Sequence, residues 1–402
     1  MKVLKKEDII DVLYGATLLG GGGGGSLHNG IDMLEKYIET HPGKPVSLEM
    51  IEPSEMKDGV YSAVTAGMGA PTAIKETDFS IYATNTFDLL KDMAGKFYDP
   101  PRVLGYSMAV EMGGFNTFVP MLISLDQGYP FINTEGAARA VPALSTLLFG
   151  MNGYDTSPLA MADGFTDTKE HDKVIIQLKD PKNSAVAEKL GRDVTIELGY
   201  QMAGLCGWML KKEDFDAERL PIGSIEIARR IGKILRNSPA QDVFKNIAAE
   251  GIVECKGVSG YTVVAGESGS GAGFDNGFIL FKNDGGDHYY RFDFQNENLV
   301  VLGGKNAKAL SPIMTAPDII CAFKVDGGGG NLPVTNADFF DPDTGKVLVG
   351  TKVCIGLIPV DKVWWHTGYE NVNTVWKEFF GNVGYEGDII KYEDVSDADI
   401  IA

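Results

Sequence analysis

The chain has 402 residues, 44% hydrophobic and 23% charged, which is the balance of a packed globular protein long enough for two domains. Acidic residues outnumber basic ones by 55 to 36, giving a formal charge of −19. A field of that sign repels nucleic acid phosphates and anionic lipid heads, so neither nucleic acid nor membrane is an expected partner.

The first predicted element is a helix from about Glu7 to Leu19, with Ile9, Ile10, Leu13, Ala16 and Thr17 at helical spacing. It stops at six consecutive glycines, Gly20 to Gly25, and a second helix follows from Ile31 to about His41. Strands are then expected at 61–65, 80–84, 103–110 and 130–132, and helices at 87–96, 116–125 and within 136–148. Such alternation predicts a mostly parallel sheet covered by helices, with ligands gathering beyond the strand ends. Beyond Tyr154 a strand at 174–178, a helix near 184–190 and a strand at 202–210 are expected, followed by the clearest helix, 222–237. From Gly251 onward β patterning dominates, with strands at 252–258, 261–265, 277–282, 289–294 and 298–302. The fold class is therefore α/β: an N-terminal mostly parallel α/β domain, residues 1–165, and a β-rich α+β C-terminal domain, residues 166–402.

Four segments carry the chemistry-bearing residues. Ordering six glycines is costly, so the run either stays mobile or brings backbone close to a ligand or a neighbouring chain. Its amides, those of Gly22, Gly23 and Gly24 among them, would suit an anion ahead of the second helix. The run has neither the lysine of a phosphate loop nor a preceding strand, so nucleotide binding is not expected. Glu111-Met112-Gly113-Gly114-Phe115-Asn116 follows a strand directly. Glu111 there could be a general base, a metal ligand or the partner of an arginine. Asn116 could bind a ligand or simply cap the next helix. In Asn133-Thr134-Glu135-Gly136-Ala137-Ala138-Arg139, Glu135 and Arg139 would be neighbours on a helix. They could form an ordinary ion pair, or a proton-transfer carboxylate beside a guanidinium that binds a substrate carboxylate. His28, beside the glycine run, is the best placed of five histidines, none at the spacing of a local metal site. Cys206 reads as a buried thiol rather than a nucleophile, and the four scattered cysteines predict no disulfide framework. Phe294-Gln295-Asn296-Glu297-Asn298 predicts a polar turn that could clamp a loop or a ligand, with Asn296 as the candidate contact. The charged start and the absence of a 20-residue apolar run make the cytoplasm the expected address.

In their order and spacing these segments, together with Met68-Gly69-Ala70-Pro71, Ala162-Asp163-Gly164, 204–208 and Ala316-Pro317-Asp318-Ile319-Ile320, resemble the S-methyl-thiohydantoin desulfurase-like family over nearly the whole chain. The family usually carries Asp-x-Asp-Gly-x-Gly-Arg-Ala where this chain has Asn133 to Ala140. Asn133 thus replaces one carboxylate, and Ala138 a glycine. The resemblance implies an α/β N-terminal domain, a β-rich C-terminal domain and hydrolysis of a small cyclic amide or thioamide of the hydantoin or thiohydantoin type. Glu111 or Glu135 would activate water, with His28 nearby. Glycine amides of the run and of Gly113 and Gly114 would stabilise charge, and Arg139 would orient the substrate. A divalent metal held among Glu111, Glu135, Asp163 and His28 is a further possibility of that chemistry. The alternative is a non-catalytic ligand-binding or assembly subunit of a hydantoinase-type enzyme; the expected partners are a small heterocyclic substrate and either a second copy of the chain or a hydantoinase-type protein.

Overall fold

The computed structural model describes residues 1–69, 79–164, 174–180, 183–197, 202–271, 274–325 and 330–400. Ala70, Pro71, His171 and most of the 327–330 glycine run lie outside them.

The N-terminal half runs β1 (Lys2–Lys5), α1 (Lys6–Leu19), α2 (Leu27–Thr40), β2 (Ser47–Ile51), β3 (Val60–Gly69), α3 (Phe79–Phe97), β4 (Val103–Ala109), α4 (Phe118–Gln127), β5 (Phe131–Ile132), α5 (Leu148–Met151), β6 (Leu159–Ala162), β7 (Ile175–Leu178), α6 (Ser184–Glu197) and β8 (Met202–Lys211). These strands form one eight-stranded sheet in the order β1-β2-β5-β4-β3-β8-β6-β7. Its core, β2-β5-β4-β3, is parallel, and antiparallel strands flank it on both sides. The last strand to enter the sheet, β8, ends at Lys211, so the first sheet draws on chain well past residue 165.

After α7 (Ser224–Asn237) and α8 (Val243–Ala249), the chain builds a second eight-stranded sheet, wholly antiparallel. Its strands are β9 (Lys256–Gly271), β10 (Phe274–Asn283), β11 (Tyr289–Gln295), β12 (Glu297–Gly304), β13 (Ser311–Thr315), β14 (Ile319–Val325), β15 (Asn331–Pro333) and β16 (Lys352–Ile358), and α9 (Tyr369–Asn382) closes the fold. The chain is thus α/β, a mixed sheet with a parallel core followed by an antiparallel sheet.

Strand alternation sends neighbouring residues to opposite cores. Ala63 of β3 packs with Phe87 of α3 and Ile123 of α4, whereas Val64 and Ala66 face the cluster that holds Trp208, Leu299, Trp364 and Trp376. The second face of the first sheet is therefore covered by the C-terminal half of the chain, and the two halves share a core.

Three expectations differ. Residues 80–84 belong to α3, because Tyr82, Ala83, Thr86, Phe87 and Leu90 present one buried helical face. Residues 136–143 form an irregular loop, not a helix: Ala138 has φ +58°, a left-handed backbone that stops helical propagation. The strands expected at 252–258 and 261–265 are one strand, β9.

Helices α1 and α7 cross at backbone contact. A Cβ on Gly15 would lie 1.7 Å from the Ala228 carbonyl oxygen, and one on Gly232 would lie 1.8 Å from that of Asp11. Arg229 and Arg236 of α7 pair with Asp8 and Asp11 of α1 along the same seam. A Gly232→Ala substitution must push the helices apart, and we expect a loss of about 2–3 kcal/mol in urea unfolding. An unchanged midpoint would mean that the crossing is looser than its backbone geometry indicates.

Candidate active site

The glycine run leaves α1 and is fastened on both sides. The Gly21 carbonyl accepts from the Asn298 N–H at 2.8 Å and that of Gly22 from the Asn336 N–H at 2.9 Å. Those of Gly24 and Gly25 accept from the amides of Asn116 and Gly114, at 3.1 and 2.9 Å. The run is therefore a strap between the loop after β4 and the second sheet, and the mobile-loop reading does not hold. Its glycines are needed for space: a Cβ on Gly23 would meet Glu297 Oε1 at 2.0 Å, and one on Gly24 the Met112 carbonyl oxygen at 2.2 Å. Gly113 and Gly114 return the contact, approaching Gly24 and Ser26 backbone at 2.1 and 2.3 Å from their own would-be Cβ positions. The amides of Gly22, Gly24 and Gly25 meet no backbone acceptor among the described residues.

Over this strap lies a cavity of about 610 Å³, walled by both halves of the chain. Ala66, Met68, Val110, Phe115, Leu144, Leu147, Met202 and Leu205 supply an apolar surface; Gly22–Gly25, Glu111, Asn116, Asn296, Glu297 and Asn336 supply polar groups. Such a site suits a small molecule with a few fixed polar contacts.

Glu111 follows β4 and is buried. Its Oε1 accepts from Asn116 Nδ2 at 2.7 Å and its Oε2 from the Val141 N–H at 2.8 Å. Burial pushes its carboxyl up to about 7, although both donors and the Arg139 charge favour the anion. Asn116 is not the cap of α4, which begins at Phe118. Its Oδ1 accepts from the Gly67 N–H at 3.2 Å, and this turns its Nδ2 towards Glu111.

Glu297, at the start of β12, is also buried, and its Oε2 has no hydrogen-bond partner among the described residues. Burial, and then the charge of Glu111, push its carboxyl up to about 8, against the opposing pull of Arg139. The cavity thus contains two electrostatically coupled carboxyls from opposite halves of the chain, with the glycine strap against Glu297. Sequence reading placed Glu297 in a polar turn without singling it out. Its signal is positional: Asn296, at φ +55°, makes the tight bend that delivers Glu297 to the strap.

The remaining expected residues are placed as follows. His28 lies at the cavity mouth with a side chain 74% exposed and pairs with Asp32 at 3.1 Å. Asn296 lines the cavity, but its Oδ1 accepts from the Asp275 N–H at 2.9 Å. Glu135 and Arg139 are not among the cavity-lining residues, and no helix brings them together. Glu135 turns back on its own loop to accept from the amides of Ala137 and Ala138, and burial raises it to about 8. Arg139, fully buried, donates to the carbonyls of Ala140, Pro317, Asp318 and Asn298. Cys206 is a buried thiol beside Thr65, pushed up to about 12 by burial. Among the described residues no three His, Cys, Asp or Glu side chains gather as a metal-ligating group, so Glu111, Glu135, Asp163 and His28 are not brought together. Likewise no described helix is long and apolar enough to cross a membrane.

Arg192 of α6 is the cation in the cavity wall among the described residues. It pairs with Glu188, donates to the Pro142 carbonyl at 3.2 Å and lies 4.1 Å from the Phe274 ring.

Comparison with known proteins matches the family model described as S-Me-THD-like, N-terminal domain, over residues 7–172, and S-Me-THD-like, C-terminal domain, over residues 182–385. No curated protein matches the chain. A crystal structure of a protein from Chromobacterium violaceum superposes with a TM-score of 0.80 at 21% identity, covering 97% of this chain and 100% of that one. The likeness extends to the fold.

Proposed function

Because the chain belongs to the S-Me-THD-like family, we propose that it is a hydrolase acting at the sulfur-bearing carbon of an S-methylated thiohydantoin-type ring. The observation that carries this reading is the pair of coupled, buried carboxyls, Glu111 and Glu297, at an apolar cavity beside glycine amides that have no backbone acceptor.

The two carboxyls differ in their environments, and the difference supports an assignment of roles. Glu111 has two hydrogen-bond donors on its oxygens and is the ionised member, the general base. Glu297 has an oxygen without a donor and is the neutral member, the general acid. Water attacks the ring carbon, losing a proton to Glu111, while Glu297 protonates the adjoining ring nitrogen. The tetrahedral intermediate then breaks its C–S bond. The departing methanethiolate takes the proton from Glu111, and the hydroxyl proton returns to Glu297 as the C=O forms. The ring C(SCH3)=N plus water becomes C(=O)–NH plus methanethiol, and both carboxyls end as they began. Amides of the strap would polarise the ring carbonyl or stabilise charge on the intermediate.

The direct test is incubation of the purified protein with 2-methylthio-hydantoin rings, following methanethiol with a thiol reagent and the hydantoin by mass. Turnover is expected, with kcat/KM passing through a maximum between the limbs near pH 7 and 8 that belong to the pair jointly. No thiol release across rings of varied 5-substituent would overturn the assignment.

A further inference from the structure

Three buried side-chain oxygens, Glu297 Oε2, Asn298 Oδ1 and Asn336 Oδ1, have no hydrogen-bond partner among the described residues. They belong to side chains that meet at two consecutive glycines. A Cβ on Gly22 would lie 2.5 Å from Asn336 Nδ2 and 2.9 Å from Asn298 Nδ2, and one on Gly23 2.0 Å from Glu297 Oε1. The orientation of each amide is fixed by its nitrogen: Asn298 Nδ2 donates to the Ile320 carbonyl at 2.9 Å, and Asn336 Nδ2 to that of Asn296 at 2.8 Å. Rotating either amide would break one of those bonds. With Glu297 ionised, all three oxygens are acceptors, and burying them without a donor is costly.

We propose that Asn298 and Asn336 are positioning residues for the reaction proposed above, holding the general acid Glu297 neutral by accepting its carboxyl proton. One proton turns a carboxyl oxygen into a donor and gives one of the two buried amide oxygens a partner at a time. Electrostatics point the same way. The Glu111 charge disfavours an ionised Glu297, and the Arg139 guanidinium that opposes it is shared among Glu297, Asp318 and Glu111. Arg192, which also acts on Glu297, is itself paired with Glu188.

The inference rests on the roles assigned to the two carboxyls, but its test needs no turnover. Infrared difference spectra of the full-length protein, wild type against Glu297→Gln, isolate the C=O stretch of a neutral Glu297 carboxyl. The band is expected at pH 7, with a deprotonation midpoint that falls by about one pH unit, a tenfold loss of proton affinity, in Asn336→Leu and in Asn298→Leu. Having two variants covers the case in which one does not fold. Absence of a Glu297-dependent band at pH 7, or a midpoint unmoved in both leucine variants, overturns the proposal. So does loss of the band on adding Mg2+ or Ca2+, which would assign the three oxygens to a cation. If the band behaves as expected and no ring is turned over, the hydrolase reading fails while the proton assignment stands.

Discussion

Glu111→Gln and Glu297→Gln are each expected to lower kcat/KM on an S-methylated thiohydantoin by about 10²–10⁴-fold, the range of a lost general base or acid. Replacing Glu111 removes the only proton acceptor on the water side of the proposed reaction. Replacing Glu297 removes the proton for the ring nitrogen. Because the two act on one proton inventory, the double variant should be little worse than either single one. Stability should move the other way. Both carboxyls have folded pKa values raised above the ordinary 4.5 by burial. A raised carboxyl contributes stability that is complete below its unfolded pKa and lost as pH rises through its folded one, at about 1.4 kcal/mol per unit. The window is therefore from about pH 4.5 to about 8, over which the wild type should weaken. Glutamine cannot ionise, so Glu297→Gln should gain in urea midpoint relative to wild type as pH rises to 8.5, its amide also giving a donor to the orphaned asparagine oxygens. An inactive variant that is less stable at pH 8.5 than wild type would contradict the environment described for Glu297. Full activity in both single variants would remove the carboxyls from the chemistry.

What could be read in the sequence follows from how the site is assembled. The Gly20–Gly25 run and the Glu111–Asn116 segment are each contiguous, and both line or support the cavity as the order of elements suggested. The α/β class and the β-rich C-terminal half were legible because hydrophobic periodicity is local. Glu297 and Asn336 were not, because they matter only through long-range docking: Asn298 N–H on the Gly21 carbonyl and Asn336 N–H on that of Gly22. Nothing near Thr335-Asn336-Ala337 in sequence announces a partner more than three hundred residues away. The Glu135–Arg139 spacing misled for a different reason. Gly136-Ala137-Ala138 is compatible with a helix, but the Glu135 carboxylate captures the amides of Ala137 and Ala138, and the chain turns left-handed at Ala138. A side chain competing for backbone donors overrides weak local propensity. Residues 80–84 show the converse, a β-branched and aromatic run absorbed into a helix whose buried face is set by the neighbouring sheet.

Arg139→Met is expected to cost about 3–5 kcal/mol, the range for removing one member of a buried charged network. Arg139 is fully buried and joins the two halves: Nε donates to the Ala140 carbonyl at 2.7 Å, Nη1 to those of Pro317 and Asp318 at 2.6 and 3.2 Å, and Nη2 to that of Asn298 at 3.4 Å. Its guanidinium carbon lies 5.0 Å from the Trp376 ring. Methionine could fill much of the volume but would leave those carbonyls without a donor, each a penalty of about 1–3 kcal/mol when buried. Arg139→Lys should recover little, because a single ammonium cannot span carbonyls on three segments or stack on the indole. The Arg139→Met substitution also withdraws the positive charge that acts on Glu111 and Glu297. In whatever fraction stays folded, both carboxyls should bind protons more tightly and the alkaline limb of the pH profile should move up. Urea midpoints measure the first effect and pH–rate profiles the second, which a purely structural arginine would not produce. A methionine variant as stable as wild type would show that the docking of the two halves does not depend on this side chain, and that the cavity between them is held by the glycine strap and the shared tryptophan core instead.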